Sequence, residues 1–174
     1  VSISSPAANS SFNEGASVHL TGSAMDNKGV RKVQFSLNNA AFTDAELILN
    51  AAGTGAAYTM ALAPLLRGPN TVSVKCIDTR GNESATVTRA FKFIVKRPLT
   101  VNKTGSGTLP KPFPGVDETK QVGFAYTLKA TPGAGQVFNG WGVENPTGTQ
   151  ITAAMREQPI LTFIHQEDLV LTAR

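Results

Sequence analysis

Apolar residues in this chain fall at every second position, in short runs, and no stretch of any length repeats at the helical period. That restricts the fold more than any other feature. A β-strand sends successive side chains to opposite faces, so alternation marks a strand with one face buried and one face wet. Between the runs lie most of the 16 glycines and 10 prolines, which punctuate strands with turns. The expectation is an all-β protein.

The first stretch shows the pattern most clearly. Residues 1–5 read as a strand stopped by Pro6 and the polar residues 9–11, and residues 17–24 as a second. There Val18, Leu20, Gly22 and Ala24 share one face and His19, Thr21 and Ser23 the other. Residues 26–29, Asp-Asn-Lys-Gly, carry turn chemistry. In residues 30–37, Val33, Phe35 and Leu37 alternate with Lys32, Gln34 and Ser36, which places the latter three outward. A looser segment holds Phe42, Leu47 and Ile48, residues 51–57 read as an exposed loop, and Tyr58, Met60 and Leu62 resume alternation. Residues 65–70 turn the chain. Val72, Val74 and Cys76 then share an inward face, residues 78–82 make a tight connection, and Val87, Phe91, Phe93 and Val95 line a last strand. About seven short strands in this length fit two sheets that bury their apolar faces against each other.

Pro98 cannot donate to a ladder and marks a junction, giving modules at 1–97 and 98–174. In the second, residues 104–115 read as a long turn or irregular hairpin, Tyr126, Leu128 and Ala130 alternate, and residues 137–141 form a short aromatic strand. Residues 151–156 fit a strand or a single helical turn equally well. Residues 160–164 and 169–171, split by the polar residues 165–168, suggest a hairpin.

Composition excludes several classes. Hydrophobic residues make up 41% and charged residues 16%, enough for folded cores and too little charge for disorder. The net charge of +4 is N-terminal: residues 1–97 hold 10 Lys and Arg against 6 Asp and Glu, and residues 98–174 hold 6 against 6. These basic residues are scattered over strand faces with no interleaved aromatics, which argues against nucleic-acid binding. No run approaches the roughly 20 apolar residues of a membrane-spanning helix, so no membrane insertion is expected within this stretch. The chain begins at Val1 and reads as a piece of a longer protein. Cys76 has no second cysteine to pair with and reads as a small buried hydrophobe.

Candidate sites are few. His19 and His165 lie in different modules, each on an outward face or turn, and neither joins a catalytic or transition-metal spacing, so no catalytic residue is assigned. Asp26, Asn27, Asp78 and Asn82 occupy two loops that a sandwich would bring to one end; they could offer hard oxygen ligands to calcium, or simply cap their own turns. Trp141 could stack on a sugar or anchor a core, and Phe113, between Pro112 and Pro114, could make an exposed ligand contact or fold back over a small core.

Two resemblances sharpen this. The phrases ISSPAANSSF, LTGSAMDNKGVRKVQFSLN and LRGPNTVSVKCIDTRGN resemble bacterial Ig-like, fibronectin-III-like modules of large exported proteins, in which the Cys76 position is more usually alanine. VGFAYTLKATPGAGQVFNGW with the closing LTFIHQEDLVLTA is similar to a divergent internalin-B-type B-repeat. Thr127, Leu128, Ala130, Pro132, Gly135, Phe138 and Trp141 match its pattern, and His165 stands where methionine is more frequent. The resemblances imply an N-terminal immunoglobulin-like β-sandwich followed by a small β-rich repeat module, for which a β-grasp-like arrangement is one form. They imply a monomeric, extracellular or cell-surface bacterial protein whose modules act as non-catalytic spacers or display units beside neighbouring domains of the same chain. The alternative they leave is an adhesive module for a glycan or cell-surface protein. No cofactor is expected beyond the calcium option.

Overall fold

Alternating runs become strands because a half-apolar ribbon can hide its apolar face only by joining a sheet that packs on something else. The computed structural model describes residues 1–109, 119–145 and 150–174. Its described residues are nearly all strand and turn, in two compact units, Val1–Ile94 and Val95–Arg174.

In the first unit the strands are β1 (Ser2–Ser5), β2 (Ser11–Asn13), β3 (His19–Met25), β4 (Val30–Leu37), β5 (Thr43–Asp44), β6 (Glu46–Leu49), β7 (Gly55–Ala61), β8 (Gly68–Asp78) and β9 (Val87–Ile94). One sheet has the order β1-β3-β7-β6 and the other β2-β9-β8-β4-β5. Ile3, Leu20, Val33, Tyr58, Val72, Val74 and Phe91 share the core of this sandwich. The chain crosses between sheets at buried Ala45, whose N–H donates to the Val33 carbonyl at 2.9 Å. Gly22 is required on β3, since a Cβ there would run into the Ser2 carbonyl oxygen and the Tyr58 hydroxyl.

Three details differ from the alternation. Ser36, expected outward, is 4% exposed because the chain after β4 folds back over it, and its hydroxyl donates to the Ala40 carbonyl at 2.6 Å. Residues 55–57 belong to β7 rather than a loop, paired with β3 on one side and β6 on the other. Residues 68–70 open β8 rather than turn the chain, with Asn70 inside.

The second unit contains β10 (Lys96–Pro98), β11 (Thr100–Lys103), β12 (Thr119–Gln121), β13 (Ala125–Lys129), β14 (Trp141–Glu144), α1 (Ala153–Arg156), β15 (Ile160–Ile164) and β16 (Val170–Ala173). Its sheets are β10-β12, β11-β16-β14 and β13-β15 around Leu99, Val101, Leu128, Trp141, Leu161, Phe163 and Leu171. The division between units falls a little before the junction expected at 97–98, because β10 pairs with β12. Residues 151–156 resolve to the helical turn α1, capped by the Thr152 hydroxyl, which accepts from the Met155 N–H at 3.3 Å.

The expected C-terminal hairpin does not form. β15 pairs with β13, while β16 has both edges occupied, by β11 in parallel and β14 antiparallel. Nor do residues 137–141 make one strand: Gly140 takes φ +96°, and pairing starts at Trp141.

Candidate functional site

Three loops of the first unit meet at one end of the sandwich. Val30 pairs with Asp78 across β4 and β8, which sets the β3–β4 turn beside the β8–β9 turn. Thr79 ties them, its hydroxyl donating to the Lys28 carbonyl at 2.7 Å and its N–H to the Gly29 carbonyl at 3.0 Å. The loop before β7 joins through Asp26 N–H to Thr54 O and Val30 N–H to Gly53 O, both at 2.9 Å.

Within this end the carboxylates close their own turns. Asp26 Oδ1 accepts from the Lys28 N–H at 2.7 Å. Asp78, 7% exposed, accepts from the Arg80 and Asn82 N–H groups on Oδ1 and from the Asn82 side-chain amide on Oδ2, all at 2.8 Å. The Asn82 amide is the main reason the Asp78 carboxyl is held below its ordinary value; burial opposes it, and backbone N–H groups add to it. Asn27 is exposed at the tip. The fold thus brings together the loops carrying Asp26, Asn27, Asp78 and Asn82. Among the described residues no group of three or more His, Cys, Asp and Glu could hold a metal ion. Cys76 is 6% exposed, and its thiol is pushed up by burial first, with Asp26 and Asp78 adding to the rise. A thiol kept neutral in this way is a poor nucleophile.

Trp141 is not a surface platform. It is 4% exposed, its indole N–H donates to the Gln158 carbonyl at 2.9 Å, and its ring meets Phe138 edge-on at 5.7 Å. An alternating aromatic in a small module is spent on its core. Phe113 lies outside the described residues.

His165, expected on a turn, has no exposed surface. It shares the inward parity of Leu161 and Phe163 and continues their face beyond β15. Nε2 lies 3.2 Å from the Arg97 carbonyl oxygen, to which it must donate, and the ring packs edge-on to Tyr126 at 6.2 Å. Its Nδ1 is buried with no hydrogen-bond partner among the described residues. Burial holds this imidazole below its ordinary value, and the bond to Arg97 opposes that shift.

Two more inward polar groups carried the same parity signal. Asn70 continues the face of Val72, Val74 and Cys76, and is 2% exposed. Arg89 continues the face of Val87 and Phe91; its Nη2 donates to the Ile3 carbonyl at 3.2 Å. Tyr58 donates to the Ser2 carbonyl at 2.5 Å, and burial pushes its hydroxyl up to about 12 against the pull of the Arg89 charge. On the outside, Met25 at the end of β3 is exposed at 80%, and Ile48 and Leu49 on the edge strand β6 at 71% and 49%; the three line one shallow apolar strip across the sheet.

A family described as bacterial Ig domain matches residues 1–88. The chain belongs to this family. In the bacterial Ig domain so assigned, the matched residues take in β1 through β8 and all three loops at the Asp78 end. A solved structure of Clostridium thermocellum CbhA fibronectin(III)-like modules is similar at 15% identity and a TM-score of 0.39, covering 99% of this chain and 92% of that one. No curated protein matches the chain.

Proposed function

We propose that the chain supplies two non-catalytic spacer or display modules to a larger exported bacterial protein, extracellular or on the cell surface. The observation that carries this reading is how the chain threads each unit. In the first, Ile3 lies beside Arg89 and Asn13 beside Ile94, so the chain enters where β9 begins and leaves where β9 ends. In the second, β11 runs parallel to β16, from Thr100 beside Val170 to Lys103 beside Ala173. A unit entered at one end and left at the other adds its own length to the chain; one with adjacent termini would hang as a side branch. Over eight residues of β9 the gain is about 26 Å.

Membership of the bacterial Ig-domain family, matched over residues 1–88, supports the reading for the first unit. So do the carboxylates at the loop end, which close turns rather than converge on a cleft. Residues 98–174 are read as the divergent B-repeat-like module. The test is to place the chain between two fluorescent reporter domains. Energy transfer should fall steeply against a direct fusion, and transfer as efficient as in the fusion would refute spacing. An adhesive module is the second reading, favoured by the exposed strip of Met25, Ile48 and Leu49. Met25→Ser with Ile48→Thr should abolish binding to any protein partner found by surface screening, and unchanged binding would exclude this strip.

A further inference from the structure

We propose that both units are built to carry tension, because in each the terminal strands form a parallel ladder that a pull on the chain ends loads in shear. This deepens the spacer reading and rests on it, since load reaches the ladders only if the chain runs in series through its neighbours.

In the first unit the ladder joins the start of the chain to its exit. Asn9 N–H donates to Ala90 O at 2.8 Å, Lys92 N–H to Ser10 O at 2.8 Å, and Glu14 N–H to Ile94 O at 3.0 Å. Between them Ser11, Phe12 and Asn13 pair with Lys92, Phe93 and Ile94. A pull toward the N-terminus draws β2 backward while a pull toward the C-terminus draws β9 forward. The strands must then slide past each other, and the bonds across the ladder are strained together. Had the two strands been antiparallel, their loaded ends would lie at one end of the pair, and the bonds would part singly. Phe12 meets buried Phe91 edge-on at 6.0 Å, packing apolar surface against the ladder. β1 pairs with β3 across a register shift and is loaded before the ladder, so it should yield first.

The second unit repeats the device with different strands. Thr100, Val101, Asn102 and Lys103 pair in parallel with Val170, Leu171, Thr172 and Ala173, and Thr104 N–H adds a bond to Ala173 O at 2.8 Å. Val101 and Leu171 turn into the core from this pair. β14 holds the far edge of β16, so the clamp is backed by a third strand.

Single-molecule pulling of the full chain tests this on one protein, carrying Cys76→Ala and Ala85→Cys with tags at both ends. Ala85 is exposed in the loop before β9. Pulling from tag to tag shears both ladders, whereas pulling from the N-terminal tag to residue 85 parts β2 from β9 from one end. Terminal pulling should give two ruptures, releasing about 300 Å and about 250 Å of chain at roughly 3.5 Å per residue, each at a force several-fold above that of the residue-85 geometry. Equal forces in the two geometries would overturn the clamp in the first unit, and a second event no stronger than the residue-85 rupture would overturn it in the second. Soft units that still separate the reporter domains would leave spacing intact, so the two readings fail separately.

Discussion

Asn70 makes four hydrogen bonds with one amide, and replacing it tests how much of the first unit hangs on a single polar side chain. Its Oδ1 accepts from Leu66 N–H at 2.8 Å and from the Asn38 side-chain amide at 2.9 Å; its Nδ2 donates to Leu66 O at 2.7 Å and Gly68 O at 3.0 Å. Asn70→Ala strands all four groups. A buried group left without a partner costs about 1–3 kcal/mol, but water can reach Leu66, which is 57% exposed, and Asn38 in part. Gly68 is buried and bears the full cost. Counting that group fully and the others at a fraction gives about 3 kcal/mol. For a unit of this size each kcal/mol lowers the melting temperature by about 4–8 °C, so a fall on the order of 15 °C is expected. Calorimetry of the full chain reads it, with Trp141 fluorescence as an internal control because the only tryptophan lies in the second unit. Asn70→Asp should be destabilising at neutral pH, where a carboxylate faces the Leu66 and Gly68 carbonyls, and should recover when acid protonates it. A loss below about 1 kcal/mol in Asn70→Ala would refute the staple and show that solvent satisfies the loop.

Trp141→Ala should cost the second unit about 3–5 kcal/mol by cavity formation and leave the first transition unmoved; a mild effect would mean the indole is not the anchor. For His165 the sign follows from its lowered value: below the ordinary imidazole value of about 6.5 the unfolded chain takes up a proton that the buried ring refuses. Folding of the second unit should therefore weaken about tenfold per pH unit below that point, until the folded ring itself protonates, and show no such dependence above it. Denaturant melts followed by Trp141 at pH 7.5, 6 and 5 measure this; an equal slope in His165→Gln would rule His165 out as its source. At the Asp26 and Asp78 end, first-unit melting curves in millimolar calcium and in chelator should coincide, since both carboxylates already bind turn donors. A rise of several degrees in calcium alone, lost in Asp78→Asn, would contradict this.

The candidate site was only partly legible. Spacing brought the loops of Asp26 and Asp78 to one end, because the two flank strands that must pair. It could not say whether the carboxylates would face outward together or fold onto their own N–H groups, which the backbone path of each turn decides. Asn70, Arg89 and His165 lie at inward positions that counting by two would have found. A polar residue at such a position is easily discounted because its burial depends on partners distant in sequence: Asn38 for Asn70, Ile3 for Arg89 and Arg97 for His165.

What the sequence determined by itself is the all-β class and the inward face of its most regular strands, since both follow from a period of two read over neighbouring residues. Val72, Val74, Leu128 and Leu161 are buried as their alternation requires. What only the tertiary structure decided is which strand pairs with which, and in what direction. β16 and β15 are neighbours joined by a polar turn, yet β15 goes to β13 and β16 to β11 and β14. A strand's edges are the same N–H and C=O groups whatever its sequence, so partner choice rests on which pairing lets every apolar face reach one core, a property of the whole unit.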